Sequence, residues 1–180
     1  MSTPREPEPV KLIAGIFSAK EDLIERAIRD LEAMFGPLDW KSAGLFFDRT
    51  RYYEKEMGWP LFRRFIAFRD LIRPESIVAV KRRTNELEKC YGREGKRAVN
   101  IDPGYICMER LVLATGKNYT QRIYLSEGVY ADLTLVFQKG CFTPLPWTYK
   151  DYSDPFLIEQ FHEIRERYKA QVRGREVSGA

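Results

Sequence analysis

Apolar positions along the chain change period several times, and each change marks an element. Val10 to Ser18 (VKLIAGIFS) is almost continuously apolar and short, which predicts a buried strand. From Ser18 the period becomes helical: Ser18 and Glu21 have capping-box spacing, and Leu23 or Ile24, Ala27 or Ile28, Leu31 and Phe35 form one stripe that ends at Gly36-Pro37. Trp40 to Phe47 and Leu61 to Phe68 read as aromatic-rich strands joined by the polar, tyrosine-bearing connection 48–60. Pro74 opens a second helix with the stripe Ile77, Val80, Thr84, Leu87 and Tyr91, closed by Gly92. Four further strands are predicted at Arg97 to Ile101, Glu109 to Thr115, Arg122 to Leu125 and Val129 to Gln138. Ser153-Asp154-Pro155 caps a last helix with the stripe Leu157, Phe161, Ile164 and Tyr168.

Strand, helix, strand, strand, helix, strand is the split βαβ (ferredoxin-like) order, here extended by a strand meander and a helix. The expectation is α+β: a mostly antiparallel sheet with helices packed on one face, with two small sheets forming a partly closed barrel as the alternative. Residues 1–9 hold three of the ten prolines and read as a loose arm, 10–172 as one domain, and 173–180 as a fraying tail.

Composition narrows the class. The 180 residues are 44% hydrophobic and 31% charged, which suits one domain with its own core and excludes a disordered chain or a coiled coil. The longest apolar run, Leu12 to Phe17, is far short of the ~18 residues that a membrane span requires, and the polar, proline-bearing start is unlike a secretory signal; a cytoplasmic location is expected. Cys90, Cys107 and Cys141 lie far apart and read as reduced, core-type residues, and the single histidine, His162, excludes any mechanism that needs a His pair or a multi-histidine metal site, while reading as a lone general base or as a helix-surface or core-edge residue.

The net charge is only +4, but residues 61–100 carry 11 basic and 5 acidic groups. Arg63, Arg64, Arg69, Arg73, Lys81, Arg82 and Arg83 make up most of this block, which suits either phosphate or RNA attraction or a solvated face. In Arg97 to Tyr105 (RAVNIDPGY) the pleat points Asn100 and Asp102 the same way, beside a Pro-Gly pair read as a turn. They would orient a water, a ribose hydroxyl or Mg²⁺, or else bond their own backbone. In a meander Glu109 and Asp132 join them on one sheet surface, with Lys117 and Arg122 at its edge, as a ligand site or as cross-strand ion pairs. Glu54 and Glu56 read as an acidic lid over that surface, or Tyr52, Tyr53 and Trp59 as a clasp fastening the loop; Trp147 to Tyr152 would stack a base or pack over the sheet end.

Taken together, these segments resemble a bacterial family known only as domain-of-unknown-function family 4416, over about Val10 to Tyr168. The resemblance is carried by Pro9 to Leu12, Asp48 with Thr50, Tyr52-Tyr53, Glu56-Met57-Gly58, Lys81 with Thr84-Asn85 and Glu88, Arg97 with Asn100 to Tyr105, Leu113-Ala114-Thr115 with Lys117, Arg122 to Leu125, Tyr130 with Thr134-Leu135, and Trp147-Thr148-Tyr149 with Asp151-Tyr152. The chain departs from the family pattern at Gln121, Asp132 and Asn118, where the pattern tends to have His, Glu and Asp. Some members are labelled GTP-binding protein. This chain has Thr115-Gly116-Lys117-Asn118 without a guanine-reading carboxylate and no GxxxxGK[ST] loop, so GTPase chemistry is not expected from it.

The functional expectation is a phosphate-bearing ligand such as a nucleotide in a polar sheet-face pocket. Arg97, Lys117, Arg122 and Lys81 would meet phosphate, and Asn100, Asp102, Glu109 and Asp132 would orient a hydroxyl, water or Mg²⁺. RNA binding through the 63–83 block, or a non-catalytic interaction domain using the aromatic segments 52–59 and 147–152, are the alternatives.

Overall fold

The computed structural model describes residues 1–47, 51, 53–92 and 95–178. Asp48, Thr50, Tyr52, Arg93 and Glu94 therefore lie outside the described residues. One sheet organises the rest. Its strands are β1 (Val10–Ser18), β2 (Leu38–Lys41), β3 (Leu45–Phe47), β4 (Leu61–Ile72), β5 (Asn100–Ile106), β6 (Arg110–Thr115), β7 (Arg122–Ser126), β8 (Val129–Gln138) and β9 (Cys141–Pro144). The helices are α1 (Glu21–Phe35), the single turn α2 (Glu54–Met57), α3 (Ile77–Tyr91), and α4 (Pro155–Ser178).

The strand order is β2-β4-β1-β5-β6-β8-β7, with β3 also on β4 and β9 on β8. Every pairing is antiparallel. The first four strands follow the split βαβ order, so the α+β class and the ferredoxin-like start are present. The meander is not: β8 sits between β6 and β7. Buried Val129 and Leu135 give β8 side chains for a central place, whereas Ile123, Tyr124 and Leu125 leave β7 exposed at the edge.

The helices do not share one face. Leu12, Ala14 and Ile16 of β1 pack with Ile24, Ala27, Ile28 and Leu31 of α1 and with Ile77 and Val80 of α3. Ile13 of β1, with Phe65 and Ala67 of β4, packs instead with Leu157, Phe161 and Ile164 of α4. Because β1 is buried on both faces, its run is continuous rather than alternating, and a second helical layer is what such a run requires. Three local readings also change. Ser18 ends β1, donating to the Ala98 carbonyl, and Lys20 is the N-cap of α1. The 40–47 stretch is two short strands, β2 and β3, with β2 beginning at Leu38. Finally, α4 continues through Gly174 to Ser178, since one glycine costs a helix only about 1 kcal/mol.

The largest correction concerns Pro103-Gly104, which lies inside β5 and makes no turn. Pairing with β6 starts at Gly104, opposite Leu113. Ahead of that point, the backbone of Ile101 on the side away from β1 is met by α3: its N–H donates to Glu88 Oε1 at 2.6 Å and its carbonyl accepts from Lys81 Nζ at 3.2 Å. Backbone groups two residues apart point to the same side, so Pro103 lacks an N–H where no strand would have received it. Gly104 is required by close approach, because a Cβ there would lie 2.4 Å from the Val112 carbonyl oxygen. Among the described residues no helix is long and apolar enough to cross a membrane.

Candidate functional site

On the α4 face, near the end of that helical layer, lies a cavity of about 420 Å³. That is within the range of small-molecule sites. The C-terminal end of β1 contributes Phe17, β3 contributes Phe47 and β4 contributes Arg63; Asp102, Thr115, Arg122 and Asp132 come from β5, β6, β7 and β8, and Tyr149 to Tyr152 from the loop before α4. The register explains the gathering. Phe17 is opposite Arg63 on one side and Asn100 on the other, Gly15 is opposite Asp102, and Arg122 is opposite Asp132.

Arg63 is the innermost charge, 3% exposed. Its guanidinium lies 4.6 to 5.6 Å from the ring centres of Phe65, Phe47, Tyr152 and Phe17. It pairs closely with Asp151, lies 3.6 Å from Asp102 and donates to the Tyr152 hydroxyl at 3.3 Å. Burial alone would lower its pKa, but Tyr152, Asp151 and Asp102 more than offset this and it stays cationic. Gly15 makes the room: a Cβ there would be 3.0 Å from the Phe65 ring and 3.1 Å from the guanidinium. Burial raises the Tyr53 hydroxyl to about 12, with Asp102 adding to the shift.

Arg122 is equally committed. Nε donates to Asp132 at 2.7 Å, Nη2 to the Tyr149 hydroxyl at 2.7 Å and Nη1 to the Lys117 carbonyl at 2.9 Å. Three cations and three carboxylates line the cavity, so the wall is neutral overall. Two of these groups are the least committed. The Asp102 carboxylate makes no side-chain hydrogen bond, only the 3.6 Å ion pair to Arg63, and among the described residues Lys150, exposed at the rim, has no partner for Nζ.

Of the residues singled out from sequence, Asp102, Arg122 and Asp132 line the cavity together. Asn100 and Arg97 stand next to it: Arg97 donates to Glu56 through Nε and Nη2, both at 2.8 Å, and to Asn100 Oδ1 at 2.8 Å. Those hydrogen bonds hold Glu56 below the usual carboxylate range and raise Arg97 further. Lys117 contributes its backbone carbonyl at the rim. Glu109 and Lys81 are elsewhere. Glu109 sits at the β5–β6 turn, beyond the opposite end of β6 from Thr115, and accepts from Cys107 Sγ at 3.1 Å. Lys81 is buried on the α3 face, holding Ile101. The loop 53–59 is both clasp and wall: Tyr53 packs on Phe17 at 4.8 Å and Trp59 on Phe46 at 5.8 Å, while Tyr53 also lines the cavity.

Sequence reasoning missed Arg63, Lys150 and Asp151 as site residues. Arg63 has one signal, a cation at the alternate position of an otherwise buried strand (Leu61, Arg63, Phe65, Ala67). Elsewhere, His162 stacks on Phe137, far from this chemistry, and Cys107 is buried whereas Cys90 and Cys141 are exposed. No group of three or more His, Cys, Asp or Glu among the described residues could hold a metal ion.

An antiparallel α+β sheet carrying a charged, aromatic-walled cavity on its α4 face defines the class of protein. The chain belongs to the family of the domain of unknown function DUF4416, whose family model matches residues 8–168. No curated protein and no solved structure matches it.

Proposed function

We propose that the protein binds a small ligand with an anionic group, a hydroxyl or amine donor and a planar ring, the combination found in a nucleoside monophosphate. The observation that carries this reading is a cavity that places together Lys150, exposed at the rim with no side-chain partner among the described residues, for the anion, and Asp102, which makes no side-chain hydrogen bond beyond its 3.6 Å ion pair to Arg63, for the donor. The rings of Phe47, Tyr53 and Tyr149 supply surface for a base or similar ring. A neutral wall favours a ligand of low charge over a triphosphate, because each added negative charge after the first meets Asp132 and Asp151 as well as Lys150. No metal is part of the proposal.

Calorimetric titration against a panel of nucleosides, nucleoside mono- and triphosphates and sugar phosphates tests it. Micromolar to low-millimolar binding of a monophosphate, weakened about tenfold or more by Lys150→Met and by Asp102→Asn, is expected. Silence across the panel, or both variants binding as tightly as the parent, refutes it.

The RNA reading has less support than the small-ligand one. Arg63 and Lys81 are buried, Arg64 pairs with Glu25, Arg73 with Glu6 and Glu75, and Arg82 with Glu127, so the basic block is split between both sheet faces and largely paired.

A further inference from the structure

We propose that the cavity's ligand is a phosphodiester, two planar groups joined through one phosphate, with one group inside the cavity and the other on the Tyr124–Tyr130 pair outside it. The inference rests on the reading of the cavity as a site for a nucleotide-like ligand and narrows that ligand to the dinucleoside monophosphate class. Charge is the first argument. Arg63 pairs with Asp151 and Arg122 with Asp132, which leaves Lys150 as the cation for an incoming anion in a wall that also holds Asp102. A terminal phosphate carries about −1.5 to −2 at neutral pH, so one lysine leaves it with an excess of negative charge among three carboxylates. A phosphodiester has no second ionisation. Its single negative charge is the one that Lys150 balances.

Position is the second argument. Phe17 and Phe47 are buried in the cavity wall, whereas Lys150 and Tyr149 are exposed at its rim. A ligand with a ring among the aromatic side chains and its phosphate on Lys150 therefore holds that phosphate at the mouth, where a second substituent leads outward. An aromatic surface lies there. Arg122 is opposite Asp132 and Tyr124 is opposite Tyr130, so strand alternation puts both tyrosines on the cavity's face of the sheet, about 7 Å further along β7 and β8. Tyr130 is also opposite Thr115, a residue of the cavity wall, so the surface is continuous with the site. The two rings pack edge to face with centres 5.3 Å apart, and Tyr124 is 58% exposed. A ring held in place by its neighbour and open to solvent is a stacking surface for a base.

Calorimetric titration of the full-length protein separates the two arguments. For each common ribonucleoside the probes are the 5′-monophosphate, its phosphate methyl ester, the 3′,5′-cyclic monophosphate and the dinucleoside monophosphate. The methyl ester, which lowers the charge without adding a ring, is expected to bind about threefold or more tighter than the monophosphate, and the cyclic form to bind like the methyl ester. The dinucleoside monophosphate is expected to gain about another tenfold. Tyr124→Ala, with circular dichroism identical to the parent, is expected to abolish that second gain and leave methyl-ester binding unchanged. A monophosphate bound as tightly as its methyl ester, a dinucleoside no tighter than the methyl ester, or a gain indifferent to Tyr124→Ala overturns the proposal and leaves the nucleotide reading standing. A single-stranded octanucleotide bound more tightly than the dinucleoside also overturns it, assigning the tyrosines to a nucleic-acid strand. Silence from every probe overturns both.

Discussion

Arg63 is a cation enclosed by four aromatic rings and tied to Asp151, a carboxylate that is itself largely buried, with Asp102 at 3.6 Å. Removing one member of such a group leaves the others charged and unpaired, which typically costs 3–5 kcal/mol, whereas replacing the pair with apolar residues is often nearly neutral. Arg63→Met should therefore destabilise the protein by about 3 kcal/mol or more in urea denaturation, and Arg63→Met with Asp151→Leu should recover much of that loss. Gly15→Ala should cost about 1–3 kcal/mol, since its methyl group meets the Phe65 ring and the guanidinium, and the ligand should bind more weakly as Arg63 is displaced. Asp102 was legible at this scale because strand alternation puts it on Asn100's face. Arg63 was not, because a linear charge count placed it with exposed arginines that proved to face the other way.

At the scale of elements, two clamps hold β5 in place. On one face, Glu88 and Lys81 of α3 stand in for a missing neighbour strand at Ile101. Glu88→Ala leaves that N–H unsatisfied and removes the negative charge that Lys81 acts on electrostatically, and a loss of about 2–4 kcal/mol is expected by chemical denaturation, with Glu88→Gln losing less. At the site end, Glu56 of α2 holds Arg97 just ahead of β5. The Glu56 pKa is depressed in the folded state, so its contribution is present above the ordinary glutamate value of 4.5 and is lost as pH falls below it. The stability difference between the parent and Glu56→Gln should accordingly shrink from pH 6 to pH 3; a constant difference would contradict the clamp. The βαββαβ order was readable from periodicity because each helix keeps one apolar stripe and β1 is a short continuous apolar run. The placement of β8 and the straight passage through Pro103-Gly104 were not, since both depend on which neighbour is present: Pro-Gly signals a turn only where the chain is free to reverse.

For the whole molecule, the division of the sheet into two helical faces decides where chemistry can occur. α1 and α3 close one face, while α4 covers only part of the other and leaves the cavity between its N-terminal end and the loop 53–59. The same division scatters the basic block, so protein purified at low salt should elute free of nucleic acid, with an absorbance ratio typical of protein alone. The proposed ligand site draws on β1, β3, β4, β5, β6, β7 and β8, segments more than a hundred residues apart in sequence. No local motif could have announced it; only the register does.

A crystal structure of the protein with the tightest-binding monophosphate of the panel tests the central claim most directly. Density in the α4-face cavity is expected, with the anionic group within about 3.2 Å of Lys150 Nζ and a donor at the same range from Asp102. A ligand seated outside that cavity, with Lys150 and Asp102 untouched, would contradict it.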